Sequence, residues 1–341
     1  MSLRHRSIII LASLAALGAI LQLAFAGTAA ALTMSPIRFE LAADPGGEVH
    51  GTIKLHNDDH TAHTYFITKS KFESSGESGD PVLIPGASDG LPSWITIADR
   101  VDVGPLAYQE LPFTIKVPAG AEPGGYFAAL LASTVPPQAG QQPTVVLKSD
   151  VGTLLLLTVN GQFPQKESIL EFNTKGKLHV YNHLPVEFYF RFQNSGADRA
   201  KPLGDITVRN IFGLVSKVIT ANRGAGNVLP GTIRRFDSAW VTSGGGQVES
   251  FDGTVEQPKL NGFWQAVRYQ WTHFALGRYS ANLKLTVNND SSRSYSASTS
   301  FWVLPWQLIL VIMGVVTAFI LLAALIAGIA VLIILRGRRR K

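Results

Sequence analysis

The sequence predicts an all-β chain of two tandem β-sandwiches that ends in one transmembrane helix. Short stretches of period-two apolar alternation recur between Leu32 and Val303, the mark of half-buried strands. Gly 32 and Pro 18 supply turns between them. From Trp306 to Leu335 the chain then carries no charged side chain. As a helix that run reaches about 45 Å at ~1.5 Å per residue, more than a hydrocarbon core of about 30 Å requires.

Targeting segments frame the folded part. Arg4, His5 and Arg6 precede the apolar run Ile8–Phe25, with small-residue cleavage sites at Ala24-Phe25-Ala26 and Ala29-Ala30-Ala31. Residues 1–31 read as a secretory signal peptide, with an uncleaved signal anchor as the rival. At the other end Trp302 and Trp306 suit the headgroup layer. The tail 336–341, led by Arg336 and Arg338, suits the cytoplasmic side, placing the rest outside the cell. The cell membrane is therefore the expected location, with the lipid bilayer as first partner.

The formal charge of +6 belongs to these ends. Removing Arg4, Arg6, Arg336, Arg338, Arg339, Arg340 and Lys341 from 30 basic residues leaves 23 against 24 acidic ones. No nucleic-acid footprint remains. Absence of cysteine excludes thiolate catalysis and disulfides, so core burial must stabilise the exported part. Its roughly 270 residues suggest two domains, 32–163 and 168–303.

In the first, Val49, Gly51, Ile53 and Leu55 alternate up to a turn at Asn57-Asp58-Asp59, and a second strand runs from His63 to about Phe72. Glu73–Gly90 reads as a loop with a short strand at Val82–Ile84. Gln109–Val117 alternates strictly, and Pro112 marks it as an edge strand or a bulge. Tyr126–Thr134 is apolar on both faces and so central; Val145–Val159, with four leucines from Leu154 to Leu157, closes the domain.

The second half repeats the style. Phe188, Phe190 and Phe192 alternate with Glu187, Tyr189 and Arg191. Strands follow at Ile206–Val208, Leu214–Ala221 and Thr232–Thr242. An irregular stretch from Gly244 to about Phe274 precedes the last two strands, Ala281–Val287 and Ser294–Val303. Both halves hold a strand ending in an Asn turn (Asn57, Asn194) and a Tyr opening the penultimate strand (Tyr126, Tyr279), which suggests two immunoglobulin-like sandwiches.

Candidate chemistry is sparse. His56, His60 and His63 beside Asp58 and Asp59 are the candidate metal ligands, but they cross a turn and lack a shared helix face, so solvated turn residues are the plainer reading. No Gly-x-Ser-x-Gly or Ser-x-x-Lys motif occurs in the exported part, and neither an enzyme nor a cofactor is expected. Trp240, Trp264 and Trp271 are the candidate ligand-binding aromatics, but core packing is the plainer reading for most aromatics, with Asn261–His273 as the exception because its aromatics follow no single alternating face. No Leu-Pro-x-Thr-Gly precedes the span, so the span itself is the expected anchor. Ala324 and Gly328 put small residues on one helix face, which permits helix pairing.

Several motifs occur in a recognisable order: Ser35-Pro36-Ile37-Arg38-Phe39-Glu40, Asp44-Pro45-Gly46, the strand ending at Asn57, Trp94-Ile95, and Phe113-Thr114-Ile115-Lys116-Val117-Pro118. Glu122-Pro123-Gly124-Gly125-Tyr126-Phe127 and Val151-Gly152-Thr153 complete the set. Together they resemble the peptidoglycan-binding domain of bacterial WxL-interacting cell-surface proteins, over about Leu32–Gly161. The resemblance implies wall-glycan binding by the first domain and protein partners for the second, whose residues show no matching motif. It supplies no catalytic residue; Pro45, Gly46, Pro123, Gly124, Gly125 and Gly152 look structural.

The expected function is a non-enzymatic, membrane-anchored cell-surface protein that binds peptidoglycan or surface partner proteins. The alternative is a structural spacer or a chaperone-like subunit of an envelope complex offering the Gln109–Val117 edge; a metal-dependent hydrolase is the outside option.

Overall fold

The computed structural model describes residues 32–84, 89–136, 151–242, 250 and 253–338. The signal-peptide reading, the start of the Val145–Val159 strand, Gly244–Gly246 and the end of the basic tail lie outside these residues, as do the side chains of Arg336 and Arg338.

Along the first half run β1 (Leu32–Ser35), β2 (Arg38–Ala43), β3 (Glu48–Asn57), β4 (His63–Ser75), β5 (Asp80–Ile84), the single turn α1 (Leu91–Trp94), β6 (Ile95–Ile97), β7 (Arg100–Val103), β8 (Tyr108–Lys116), β9 (Gly124–Ser133) and β10 (Val151–Val159). One sheet has the order β1-β3-β8-β6; the other runs β2-β10-β9-β4-β5, with β7 also on β4. Between them the inward residues Ile53, Leu55, Phe113, Ile115, Leu130 and Leu155 form a core. The alternation of β3 and β8 is what fills it, since one face of each strand is apolar.

The second half holds β11 (Glu167–Thr174), β12 (Val180–Tyr181), β13 (Val186–Asn194), β14 (Pro202–Asn210), β15 (Val215–Thr220), β16 (Ile233–Trp240), the helix α2 (Phe263–Thr272), β17 (Gly277–Val287) and β18 (Asp290–Val303), and then α3 (Trp306–Arg338). Its sheets are β11-β13-β16 and β12-β18-β17-β14-β15. Phe188, Phe190, Phe192, Leu283 and Phe301 centre a second core. α3 is long and apolar enough to cross a membrane.

The two sandwiches share their wiring. In each the first strand pairs antiparallel in one sheet, β1 with β3 and β11 with β13. The next strand then crosses to the other sheet and runs parallel to the last, β2 with β10 and β12 with β18. This is the immunoglobulin-like arrangement. Two residues hold it the same way in both halves. Asn57, fully buried, donates its Nδ2 to the carbonyls of Thr61 at 2.7 Å and Gly104 at 2.9 Å and accepts the Asp59 amide at 3.1 Å. Asn194 donates to the carbonyls of Asp198 at 2.7 Å and Val228 at 2.9 Å and accepts the Gly196 amide at 2.9 Å. The tyrosines near the start of each penultimate strand also act alike: Tyr126 donates to the Glu122 carbonyl at 3.0 Å and Tyr279 to the Leu276 carbonyl at 3.3 Å.

Three expectations change. The strand containing Pro112 is not an edge: β8 lies between β3 and β6. β6 pairs only with Phe113–Ile115, so Pro112 sits beyond its end, where a missing N–H breaks no ladder bond on that side. The stretch expected to be irregular contains α2, whose Trp264, Val267, Arg268 and Trp271 follow helical spacing. Glu187 and Tyr189, which alternate with the phenylalanines of β13 as a half-buried strand would have it, are buried as well: Lys175 and Gln257 bond the Glu187 carboxylate at 2.7 and 2.9 Å, and Tyr189 bonds Glu171.

Replacing either buried asparagine strips several backbone groups of their partners, each worth about 1–3 kcal/mol when left bare. Asn57→Ala and Asn194→Ala are each expected to lower stability by about 3 kcal/mol. Thermal unfolding of the detergent-solubilised chain measures this, and a loss confined to one variant would show that the two sandwiches do not use the residue alike.

Candidate functional site

The four leucines of β10 serve two faces at once. β10 pairs with β9 in a register that sets Leu155 opposite Ala128 and Leu154 opposite Ala129. Ala128, Leu130, Leu155 and Leu157 point into the first core. Phe127, Ala129, Leu131, Leu154 and Leu156 point the other way and join Phe72 of β4, Leu83 of β5 and Leu229 of the second sandwich in a separate cluster. Where that cover ends, a groove of about 510 Å³ stays open, floored by Ala129, Leu131 and Leu154 and walled by Ile37 and Val82. Ile37 is 76% exposed and Val82 51%. Gly152 belongs to this floor: a Cβ there would lie 2.8 Å from the Leu131 side chain.

At Arg38 the groove meets a second cavity. This cleft of about 460 Å³ runs between the sandwiches and is lined by Arg38, Arg223 and Arg234 together with Asp80 and Asp237. Arg38 pairs with Glu40 at 3.1 Å and reaches the Ala225 carbonyl at 3.3 Å. Arg234 donates Nη1 to the Asn227 carbonyl at 2.9 Å and lies over the Phe236 ring. Burial pushes its guanidinium below the usual arginine range, and its Nε is buried with no acceptor. A buried donor of this kind favours a carboxylate over a neutral ligand. The turn between β4 and β5 makes room for Arg234: a Cβ on Gly79, at φ 76, would stand 2.5 Å from its Nε.

Charged contacts hold groove and cleft together. Glu77, in that turn, takes Arg191 of β13 through two bonds, one of 2.8 Å from Nε, and its carbonyl accepts the Arg235 amide at 2.8 Å. Glu40 of β2 is bonded by Lys201 and by Asn227 Nδ2 at 3.0 Å. Arg199 reaches Thr158 Oγ1 at 2.7 Å, and the Gly125 amide donates to the Ala197 carbonyl at 2.9 Å. The Arg191 bond holds the Glu77 carboxyl below its ordinary value. Burial pushes Glu40 up, but the Lys201 and Asn227 bonds outweigh it and leave that carboxyl lowered too.

The residues singled out from sequence fall elsewhere. Trp240 leaves the ligand-binding set: it is 6% exposed, and its ring packs edge-on to Tyr279 at 4.9 Å. It ends β16 opposite Val186 of β13 and packs in the second core. Trp264 and Trp271 are exposed on α2, far along the chain from the groove. His56 bonds Asp58 at 2.5 Å and His63 bonds Asp59 at 2.9 Å, while His60 contributes its amide to Asp59. Among the described residues no group of three or more His, Asp or Glu side chains converges to hold a metal. Trp94 packs on Tyr126, ring centroids 4.5 Å apart, and Gly46 turns the chain at φ 78 after Pro45. Pro123 packs against Gly161, where a Cβ would lie 2.4 Å from its ring, and Gly124 adopts φ 144. Trp302 and Trp306 stand half exposed where β18 gives way to α3. Arg234, Glu77 and Lys201 were missed, because no local pattern tells a loop or strand charge at a domain joint from a solvated one.

No family model and no curated protein matches the chain. The resemblance to WxL-interacting proteins therefore rests on its motifs alone. Among solved structures the chain is similar to the class 5 fimbriae chaperone CfaA, at 12% identity and a TM-score of 0.36 over 79% of this chain and 99% of that one. It is also similar to the Pseudomonas aeruginosa CupB2 chaperone, at 10% identity and a TM-score of 0.31 over 80% of this chain and 100% of the other. A third is the CsuC–CsuE chaperone–tip adhesion subunit pre-assembly complex of Acinetobacter baumannii, at 15% identity and a TM-score of 0.32, covering 67% and 96%. None of the three superposes closely.

A carboxyl with a lowered folded pKa stabilises above its unfolded pKa, and that contribution is lost as pH falls through the folded value. The joint is therefore expected to hold at neutral pH and to weaken below the ordinary glutamate value of 4.5. Thermal unfolding of the chain and of Glu77→Gln, at neutral and acidic pH, measures this. The variant should melt lower at neutral pH and lose less on acidification than the parent.

Proposed function

We propose that this chain is a non-enzymatic, membrane-anchored, chaperone-like subunit of an envelope complex that holds extended polypeptide segments of protein partners. The observation that carries this is the continuity at Arg38 of an open apolar groove with a basic cleft. A water-facing row of Ile37, Val82, Leu131 and Leu154 costs solubility unless something covers it. Apolar side chains of an extended segment fill such a groove, and a carboxylate at its end meets the guanidiniums of Arg38 and Arg234. α3 anchors the molecule, with both sandwiches on the outer side of the membrane. Cell-wall glycan is the second ligand class, as the motif resemblance implies. Sugar rings bind on exposed aromatic faces, and the exposed aromatic of the first sandwich, among its described residues, is Tyr108, away from the groove.

The test uses the detergent-solubilised chain and an extended apolar peptide, alternating Val and Thr, with a free or amidated C-terminus. Binding is expected, weaker by about tenfold on amidation, since a charge-assisted bond contributes about 1.5–3 kcal/mol. Ile37→Asp, at the exposed wall of the groove, should abolish it while the melting temperature stays the same. No peptide binding, together with retention of the chain on insoluble peptidoglycan, would replace this reading by the glycan one.

A further inference from the structure

The end of the second sandwich beside α3 is apolar on several elements at once. β18 finishes at Val303 and α3 begins at Trp306, so only Leu304 and Pro305 separate sheet from helix. α2 is bolted to that junction. Its buried Gln270 donates to Gln307 Oε1 at 2.5 Å and accepts the Leu308 amide at 3.0 Å. The second bond satisfies one of the free amides at a helix start. Phe263 meets the ring of Trp306 with centroids 6.3 Å apart.

With α2 held this way, Trp264, Val267, Arg268 and Trp271 line an open wedge of about 400 Å³ against Val311 and Val315 of α3. Trp264 and Trp271 are 72% and 68% exposed. Val315 lies roughly 13 Å along the helix from Trp306 at ~1.5 Å per residue, a depth that in a bilayer belongs to acyl chains. Arg268 has no ion-pair partner among the described residues, at the mouth of a wedge that is otherwise apolar. A third element reaches the same level. The register sets Asn210 opposite Tyr279 and Gly277 opposite Val303, which brings the β14–β15 hairpin tip to the α3 end of the sheet. At that tip Ile211 and Phe212 are 67% and 82% exposed.

We propose that α2 is an interfacial helix: the wedge between α2 and α3 takes an acyl chain of a bilayer phospholipid, with Arg268 on its phosphate. The β14–β15 tip dips into the same leaflet. The second sandwich is thus seated on the membrane at two points, not tethered above it. The wedge is continuous with the lipid-facing surface of α3, and this makes lipid its occupant. Indoles and a snorkelling guanidinium are the side chains the headgroup layer accepts. The inference rests on α3 spanning the bilayer and is independent of the groove on the first sandwich.

Because the chain has no cysteine, single nitroxide labels can be placed on the full-length protein in phosphatidylcholine vesicles. Trp271→Cys and Phe212→Cys report the seat, Val315→Cys the span, and Ser296→Cys, exposed on β18, the water. The labels at 271 and 212 are expected to relax with oxygen, as at 315, and to be shielded from a water-soluble nickel chelate that reaches 296. A lipid-like signal at 315 with water-like signals at 271 and 212 would overturn the seat alone; a water-like signal at 315 would overturn the span beneath it. For the phosphate, native mass spectrometry of the detergent-extracted chain should show bound phospholipid, reduced about fivefold or more by Arg268→Gln with the depth at 271 unchanged. Equal retention by that variant would remove Arg268 from the site.

Discussion

Between Gly124 and Val159 two antiparallel strands carry apolar side chains on both faces, and most of the molecule answers to that constraint. One face of β9 and β10 closes the first core, as any half-buried sheet must. The other face needs cover as well. The chain covers part of it with β5 and with Leu229 from the second sandwich, and leaves the rest as the groove beside Ile37. The apolar burial that stabilises the joint and the apolar surface open to a partner are thus portions of the same face.

The joint itself is electrostatic where it is exposed and geometric where it is buried. Glu77 and Glu40 each reach across to cations of the second sandwich, and such bonds, partly open to water, orient more than they stabilise. Backbone contacts such as that from Gly125 to Ala197 tolerate little displacement. Between them they keep Arg38 at the meeting point of groove and cleft.

At its far end the molecule solves a different problem. The last strand runs almost directly into α3, so the second sandwich cannot stand clear of whatever surrounds that helix. α2 and the β14–β15 tip fill that level with tryptophan, phenylalanine and isoleucine instead of the charges found on the outward face of a soluble sandwich. A seated second sandwich would give the first a defined height and direction above the membrane, which a flexible tether would not.

Much of this was legible in the sequence, and the boundary is physical. Period-two alternation located the β3 and β8 strands, a charge-free run located α3, and the repeated Asn and Tyr positions announced two like sandwiches, because each of these signals is local in the chain. The fate of Trp240, of the histidines and of Pro112 was not local. Burial, convergence and edge status depend on which distant strands lie alongside, and no window of residues contains that. The groove was half visible, since Tyr126–Thr134 read as apolar on both faces, but whether its second face is core or open surface depends on how far β5 and Leu229 reach across it. The charges of Glu77, Arg191, Glu40 and Lys201 looked like ordinary solvated residues; only the packing of one sandwich on the other turned them into a joint. Local chemistry determined the elements and the long apolar helix, while the long-range approach of one sheet to another decided which apolar and charged groups were buried and which stayed open.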